Sequence, residues 1–487
     1  MTMIQFSNSY DKLPSAFFAQ VAAAPFPEAT LLAFNHDLAE ELGLDLSNSN
    51  SAELAKLFTG QQIPTSSNPI ATVYAGHQFG SFSPQLGDGR ALLLGEILTP
   101  KGERFDIQLK GSGDTPYSRN GDGRSSLGPV IREYIVSEAM HHLGVPTTRA
   151  LAACMSGEKV FREKPLPGGV FTRVASSHIR IGTFEYFANQ GDLNSLKTLL
   201  DYSINRHYPE IAKSESPVLA FIEEVAKAQA NMVAHWLSFG FIHGVMNTDN
   251  MSISGETLDF GPCAFVDNFS HSKVFSSIDR YGRYAYSNQI PVAKWNLYRL
   301  ANCLLPLVDE REQIAVSKVQ DSLASYLNVY EDQWLEKMAK KLGLFEVRGG
   351  DDELVRQFLT YLEEEDLDFT LSFRELSLGI DQLNESSEIL TQSASFADFL
   401  QNWQARLQDQ SQSRDDSKKL MDSVNPIFIP RNHRVEEAIQ LANTGILTPF
   451  TNLNKLLKNP FTEQSEFKHF AKPPMPSERI QATFCGT

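Results

Sequence analysis

The chain is predicted to be an α+β protein in which a strand-rich first part gives way to a helix-rich second part near residue 188. Three observations predict this. ALLLGEIL (91–98) and RFDIQLK (104–110) are apolar or alternating runs joined by the turn-forming TPKGE, the pattern of a β-hairpin. Long segments of helical periodicity come later: NSLKTLLDYSINRHY, PVLAFIEEVAKAQANMVAHWLSF closed by Gly240, and PVAKWNLYRLANCLLPLV. Finally, 487 residues exceed one ordinary core, so two or three packed units are expected. The divisions are 1–187, an N-terminal extension with a strand-rich lobe; 188–310, a helical lobe; and 311–487, a helical C-terminal extension and tail.

In chain order, residues 1–70 mix short helical patterns (HDLAEELGL, AELAKLF) with Pro-, Ser- and Asn-rich turns and read as a leader packed onto the first lobe. The glycine loop QLGDGR precedes the hairpin. The stretch GSGDTPYSRNGDGRSSLG (111–128) is too rich in Gly, Asp and Ser for regular structure; Pro129 then suits the first turn of a helix, PVIREYIVSEAMHH, that stops at Gly144. Residues 170–187 read as strands again. Amphipathic helical patterning, including LVRQFLTYLEEE, runs from roughly 310 to 450, interrupted by SQSRDDSKK (411–419), expected to be a solvated loop. The Pro-containing end from 459 is expected to be a tail wrapped on the surface.

Composition excludes several classes. The 42% apolar and 21% charged content fits a globular chain, and no window approaches the roughly 18 uninterrupted apolar residues of a spanning helix. No membrane association is expected, and the N-terminus carries no secretion or import pattern, which places the protein in the cytoplasm. With 43 Lys+Arg against 59 Asp+Glu the net charge is −16, which repels nucleic acid and anionic lipid over long range, so a polyanion must bind in a local cationic pocket. Cys154, Cys263, Cys303 and Cys485 form no CxxC pair and no metal-ligand spacing.

The chemistry-bearing residues converge on a nucleotide. Lys110 ends the second hairpin strand, and Glu133 or Glu138 on the following helix could brace it so that its ammonium meets phosphate oxygens, as kinases arrange. Gly-Asp-Gly-Arg occurs at 87–90 and again at 121–124, where glycine backbone N–H groups can turn toward an anion and each arginine can fork onto phosphate. His243-Gly244, Asn250 and Asp259-Phe260-Gly261 have the order of a kinase's catalytic and metal-binding segments, with MSIS and TLDF forming a small hairpin between them. Asn250 and Asp259 are hard oxygen ligands for a divalent ion that bridges phosphates. Yet Val245 stands where a kinase base would be, and Asp249 is the nearest carboxylate. Either the chain binds nucleotide without catalysis, or Asp249 serves as the base of a differently arranged reaction. Arg173 and Arg180 favour the second: if they clamp the terminal phosphates, the α-phosphorus becomes the point of attack and AMP is transferred.

YAGHQFGSFSPQLGDGRALLLGE, FDIQLKGSGDTPYSRNGDGRSSLGPVIREYIVSEAMHHLGVPTTRAL and HGVMNTDNMSISGETLDFGPCAFVD resemble the selenoprotein O (SelO, YdiU) family of protein adenylyltransferases, from about residue 5 to the end. The resemblance implies a protein-kinase-like two-lobed fold binding ATP in a flipped orientation with Mg²⁺ or Mn²⁺. It implies transfer of AMP to Ser, Thr or Tyr hydroxyls of protein substrates, with UMP transfer from UTP in some members. It implies nucleotide contacts at Gly87, Gly89, Arg90, Lys110, Asp122, Gly123, Arg173 and Arg180, a proton acceptor at Asp249, metal ligands at Asn250 and Asp259, and Glu133 rather than Glu138 as the lysine's partner. Cys485 in TFCGT resembles the family's terminal cysteine or selenocysteine, but VFSSIDRYGRY holds no cysteine to pair with it, and Cys263 reads as a packed residue. An ordinary kinase and a catalytically silent nucleotide-binding scaffold are the rival readings.

Overall fold

The computed structural model describes residues 4–380, 389–390 and 393–484. Cys485 lies outside them. The strands are β1 (Phe18–Gln20), β2 (Thr30–Phe34), β3 (Ile70–Thr72), β4 (Gly76–Gln78), β5 (Ser81–Ser83), β6 (Ala91–Leu98), β7 (Arg104–Lys110), β8 (Ser125–Ser126), β9 (Arg149–Phe161), β10 (Pro165–Ala175), β11 (Phe241–Ile242) and β12 (Ala264–Phe265). The α-helices are α1 (His36–Glu41), α2 (Ser51–Phe58), α3 (Leu127–His142), α4 (Ile181–Gln190), α5 (Leu193–His207), α6 (Pro217–Ser238), α7 (Gln289–Val308), α8 (Glu312–Ala324), α9 (Tyr326–Lys341), α10 (Asp351–Glu364), α11 (Phe369–Leu378), α12 (Ala394–Gln408), α13 (Arg414–Val424), α14 (Asn432–Ala442), α15 (Thr448–Leu456) and α16 (Lys468–Ala471). The α+β expectation holds.

The main sheet is antiparallel, ordered β1-β3-β6-β7-β10-β9-β2, with β8 paired to β10. The predicted hairpin is β6 and β7, running from Ala91 opposite Lys110 to Leu98 opposite Arg104. Strand alternation divides RFDIQLK between the sheet's two faces. Ile107 and Leu109 enter a core with Leu54 and Phe58 of α2 and Val170 of β10, while Gln108 and Lys110 face the other way, toward the site described below. On that second face Phe171 packs with Leu127, Val130 and Ile131 of α3, which α14 and α15 cover through Val435 and Phe450. The third and largest core gathers α4 through α12 around Trp236, Phe358 and Trp403.

Several local expectations are corrected. The leader supplies more than short helices: β1 and β2 form the two edges of the main sheet. Strand character over 170–187 ends at Ala175, and α4 begins at Ile181 because Arg180 N–H is held by Thr183 Oγ1 and Phe184 is drawn into the helical core. The expected loop at 411–419 is largely helix: Ser413 and Asp416 form a capping box that starts α13, whose Met421 is buried while its charges face outward. The hairpin expected between Asn250 and Asp259 reduces to a single antiparallel bridge, Met251 to Thr257. The end from 459 is anchored, with Phe467 and Phe470 packed in the α3 cluster and Thr483 paired to Phe275 and Ser277. Cys263 is buried, as expected of a packed residue. No helix among the described residues is long and apolar enough to cross a membrane.

Candidate active site

Both Gly-Asp-Gly-Arg loops, Lys110, Glu133, Arg173, Arg180, Asp249, Asn250 and Asp259 line one cleft of about 1550 Å³, whereas Glu138, His243 and Gly244 do not. At its centre lies Asp259, in left-handed backbone conformation (φ 63°), a geometry that an Asp adopts more readily than most side chains. Its Oδ1 accepts from Lys110 Nζ at 2.8 Å and from an Arg173 guanidinium nitrogen at 2.7 Å; its Oδ2 accepts from Arg180 at 2.6 Å. Burial pushes the Asp259 carboxyl up, but Lys110, Arg173 and Arg180 together overcome this and hold it well below the usual carboxylate range, so it stays ionised. Lys110 also donates to Glu133 at 2.8 Å, and Arg173 reaches the same carboxylate at 3.4 Å. The lysine's partner is therefore Glu133. Glu138 faces elsewhere, held by Arg149, Asn35 and the Ala150 N–H.

The sheet explains this convergence. Gln108 and Arg173 are directly opposed across β7 and β10, and Arg173 Nε donates to Gln108 Oε1 at 2.8 Å. Arg173 is 1% exposed, so its direction is fixed by packing. Arg180 is equally enclosed: one nitrogen serves both Asp259 and the Asp249 carbonyl, and its guanidinium lies 4.8 Å from the centre of the Tyr74 ring.

The Asp249 carboxylate, unlike its backbone carbonyl, stands apart from this cluster. Its Oδ2 accepts from Gln78 Nε2 at 3.1 Å, and its buried Oδ1 has no hydrogen-bond partner. Burial raises its pKa to about 6, against the opposing pull of the Gln78 hydrogen bond and Arg180. Asn250 donates its amide to the Val245 carbonyl at 2.9 Å, which leaves its Oδ1 as the ligand atom available to the cleft. His243 is a structural residue: buried, bonded to the Leu258 carbonyl and accepting the Val245 N–H.

The Gly-Asp-Gly-Arg loops differ in kind. In the first, Asp88 turns inward, accepting from the Thr72 N–H and hydroxyl and from Gln108, so the loop is tied to the sheet, and Arg90 has no ion-pair partner among the described residues. In the second, Asp122 is exposed and pairs with Arg162, while Arg124 is taken by Glu158 and the Phe26 ring. The expectation that both arginines are free to fork onto phosphate is thus corrected for Arg124. Gly123 is needed for closeness: at φ 64°, a Cβ there would fall 2.1 Å from the Gly113 carbonyl.

Among the described residues no group of three or more His, Cys, Asp or Glu is disposed to hold a metal alone. Asn250 and Asp259 still suit an ion such as Mg²⁺, which takes one or two protein oxygens and fills its shell with phosphate and water. Sequence reasoning gave no role to Tyr74, Gly76 or Gln78, although all lie in YAGHQFG. Nor did it find Asp88, which it read only as part of a glycine turn, or Gln108, one of the polar positions of the alternating strand β7.

A cationic, polyphosphate-sized cleft with an ionised carboxylate at its centre is the site of an enzyme that handles nucleotides, and the relatives define the class as nucleotidyltransferase. The chain is 50% identical over 491 residues to "Protein nucleotidyltransferase YdiU" of Rhizobium meliloti, covering 100% of both chains. It is 50% identical over 485 residues to the protein of that description from Bradyrhizobium diazoefficiens, covering 99% of each. Residues 1–458 match the family model described as Protein adenylyltransferase SelO. The chain belongs to the SelO family.

Proposed function

We propose that the protein transfers AMP from ATP to Ser, Thr or Tyr hydroxyls of other proteins, releasing pyrophosphate, and that the same cleft accepts UTP for UMP transfer. The observation that carries this reading is the convergence of Lys110, Arg173 and Arg180 on one carboxylate, with Asp249 separate from them. Three enclosed cations suit the β- and γ-phosphates better than a single transferred phosphoryl group. With the tail held there, the α-phosphorus faces the Asp249 carboxylate, which takes or orients the hydroxyl proton.

Lys110, braced by Glu133, and the two arginines neutralise charge on departing pyrophosphate, joined by Arg90 and by backbone N–H groups around Gly87, Gly89 and Gly123; Asp122 holds the second loop through Arg162. Asn250 and Asp259 would hold Mg²⁺ or Mn²⁺, which would supply further neutralisation of phosphate charge. For Asp259 to serve, its three cations shift their pairing from carboxylate to phosphate. The frame for this chemistry is a kinase-like two-lobed one, with the strand-rich lobe ending near 187, the helical lobe near 310, and the helical extension beyond.

Incubation with ATP labelled at either the α- or the γ-phosphorus, with Mg²⁺ or Mn²⁺ and a denatured protein pool as acceptor, tests the reading. Covalent α-label alone is expected. Covalent γ-label would establish a kinase, and neither label a silent scaffold.

A further inference from the structure

The short strand β4 packs directly against the Asp249 carboxylate, yet the proposed reaction gives it no role. Gly76 lies so near that a Cβ there would sit 2.4 Å from Asp249 Oδ1 and 2.9 Å from its Cβ and Cγ. Two residues on, Gln78 gives the only side-chain hydrogen bond that the Asp249 carboxylate receives among the described residues. One oxygen of the carboxylate is engaged and the other is left without a partner.

The strand itself is clamped to the turn that bears Asp249. His77 N–H donates to Thr248 Oγ1 at 2.7 Å, and the Thr248 hydroxyl in turn donates to Glu185 of α4. The other Glu185 oxygen meets His77 Nδ1 at 2.5 Å, closing a ring of contacts through residues 77, 185 and 248. One residue beyond Gln78, Phe79 N–H donates to Asn247 Oδ1 at 3.0 Å, with Phe79 in left-handed conformation (φ 51°), and Asn247 is itself held by the Tyr284 hydroxyl. Bonds at positions 77 and 79 therefore bracket position 78, and each runs to the turn 247–248 immediately before Asp249. A half-buried glutamine tethered this way has far less rotamer freedom to lose on bonding than a free one.

We propose that Gln78 is a positioning residue: with Oδ1 packed against Gly76, its donation to Oδ2 fixes the plane in which the Asp249 carboxylate meets the hydroxyl of the acceptor protein, with the His77–Glu185–Thr248 contacts as its brace. The proposal rests on Asp249 being the proton acceptor. It separates two jobs within one cleft. Lys110, Arg173 and Arg180 bind the nucleotide, and β4 aims the carboxylate, so the two respond to different mutations. Misorientation by a rotated carboxylate reduces the fraction of productive encounters without weakening nucleotide contacts.

The test is a comparison of kcat with KM for ATP in Gln78→Met, which keeps length without a donor, and Gln78→Glu, which keeps shape but replaces the donor by an acceptor. α-Label transfer to the denatured protein pool gives the rates, a non-hydrolysable ATP analogue gives affinity, and thermal melting reports folding. Expected is a kcat loss of about tenfold or more in both variants, larger in Gln78→Glu, with KM for ATP and analogue affinity within about twofold of wild type. Unchanged kcat in either variant, or a parallel change in KM and analogue affinity, overturns the proposal. Asp249→Asn, assayed alongside, separates the failures. If that variant transfers label at the wild-type rate, the reading of Asp249 falls; if it is inactive while Gln78→Glu is unaffected, only the assignment of Gln78 falls.

Discussion

Lys341→Met is expected to make the protein more stable at neutral and acid pH. Lys341 ends α9 at 3% exposure, and no carboxylate pairs with it among the described residues. Three phenylalanine rings surround its ammonium instead: Phe373 at 4.5 Å, Phe239 at 5.4 Å and Phe369 at 5.7 Å from nitrogen to ring centre. Burial lowers its pKa from the ordinary 10.5 to about 7. At about 1.4 kcal/mol per pH unit, this corresponds to about 5 kcal/mol against the charged form. The ring faces favour the charged form, by about 0.5 to 2 kcal/mol each, so they offset part of this cost and narrow the pH interval below from its lower end. The direction with pH follows from proton counting. Between about 7 and 10.5 the unfolded chain holds a proton the folded one has released, so wild-type stability rises with pH across that interval and is lowest below it. Methionine has similar length, no charge and adaptable packing. Urea midpoints at pH 6, 8 and 9.5 should therefore show the variant ahead at pH 6 and the gap closing toward pH 9.5. A gap that does not change with pH, or a variant less stable at pH 6, would refute the reasoning and show that the rings outweigh burial.

Asp259→Asn should abolish metal-dependent label transfer while a nucleotide analogue still binds, since the three cations remain; calorimetry beside the labelling assay checks both, and retained transfer would remove Asp259 from the metal's ligands. Arg206→Met should cost about 3 kcal/mol in urea unfolding, because the buried guanidinium that joins Glu96, Asp106 and the Ser176 carbonyl would leave two enclosed carboxylates short of a counter-charge; a loss below about 1 kcal/mol would show that water or His178 replaces it.

The parts of the site that sequence made legible are those carried by local pattern. RFDIQLK announces its alternation, so Lys110 could be placed at a strand end facing away from the apolar residues; the DFG and TDN segments announce themselves by order. Choosing between Glu133 and Glu138 needed more than local pattern. They stand five residues apart on α3, hence on different sides of it, and which side meets β7 is a tertiary fact. Gln78 was hidden for the same reason, since its partner is 171 positions away. Strand β9 went unassigned because Ala150, Ala152 and Ala153 carry little intrinsic strand preference and are extended only because β10 and β2 flank them. Conversely, charge misled at 411–419, where polar residues mark the outer face of a capped helix rather than a loop.

The ion cluster at the centre of the cleft holds three positive side chains against Asp259 and Glu133, a surplus of a single charge spread over five buried or half-buried groups. Such a pocket is close to electrically content when empty. The polypeptide can therefore complete its fold before any anion arrives, and a small monovalent ion gains little by entering. Only a visitor that brings several negative charges at once can outbid the internal carboxylates for those three side chains.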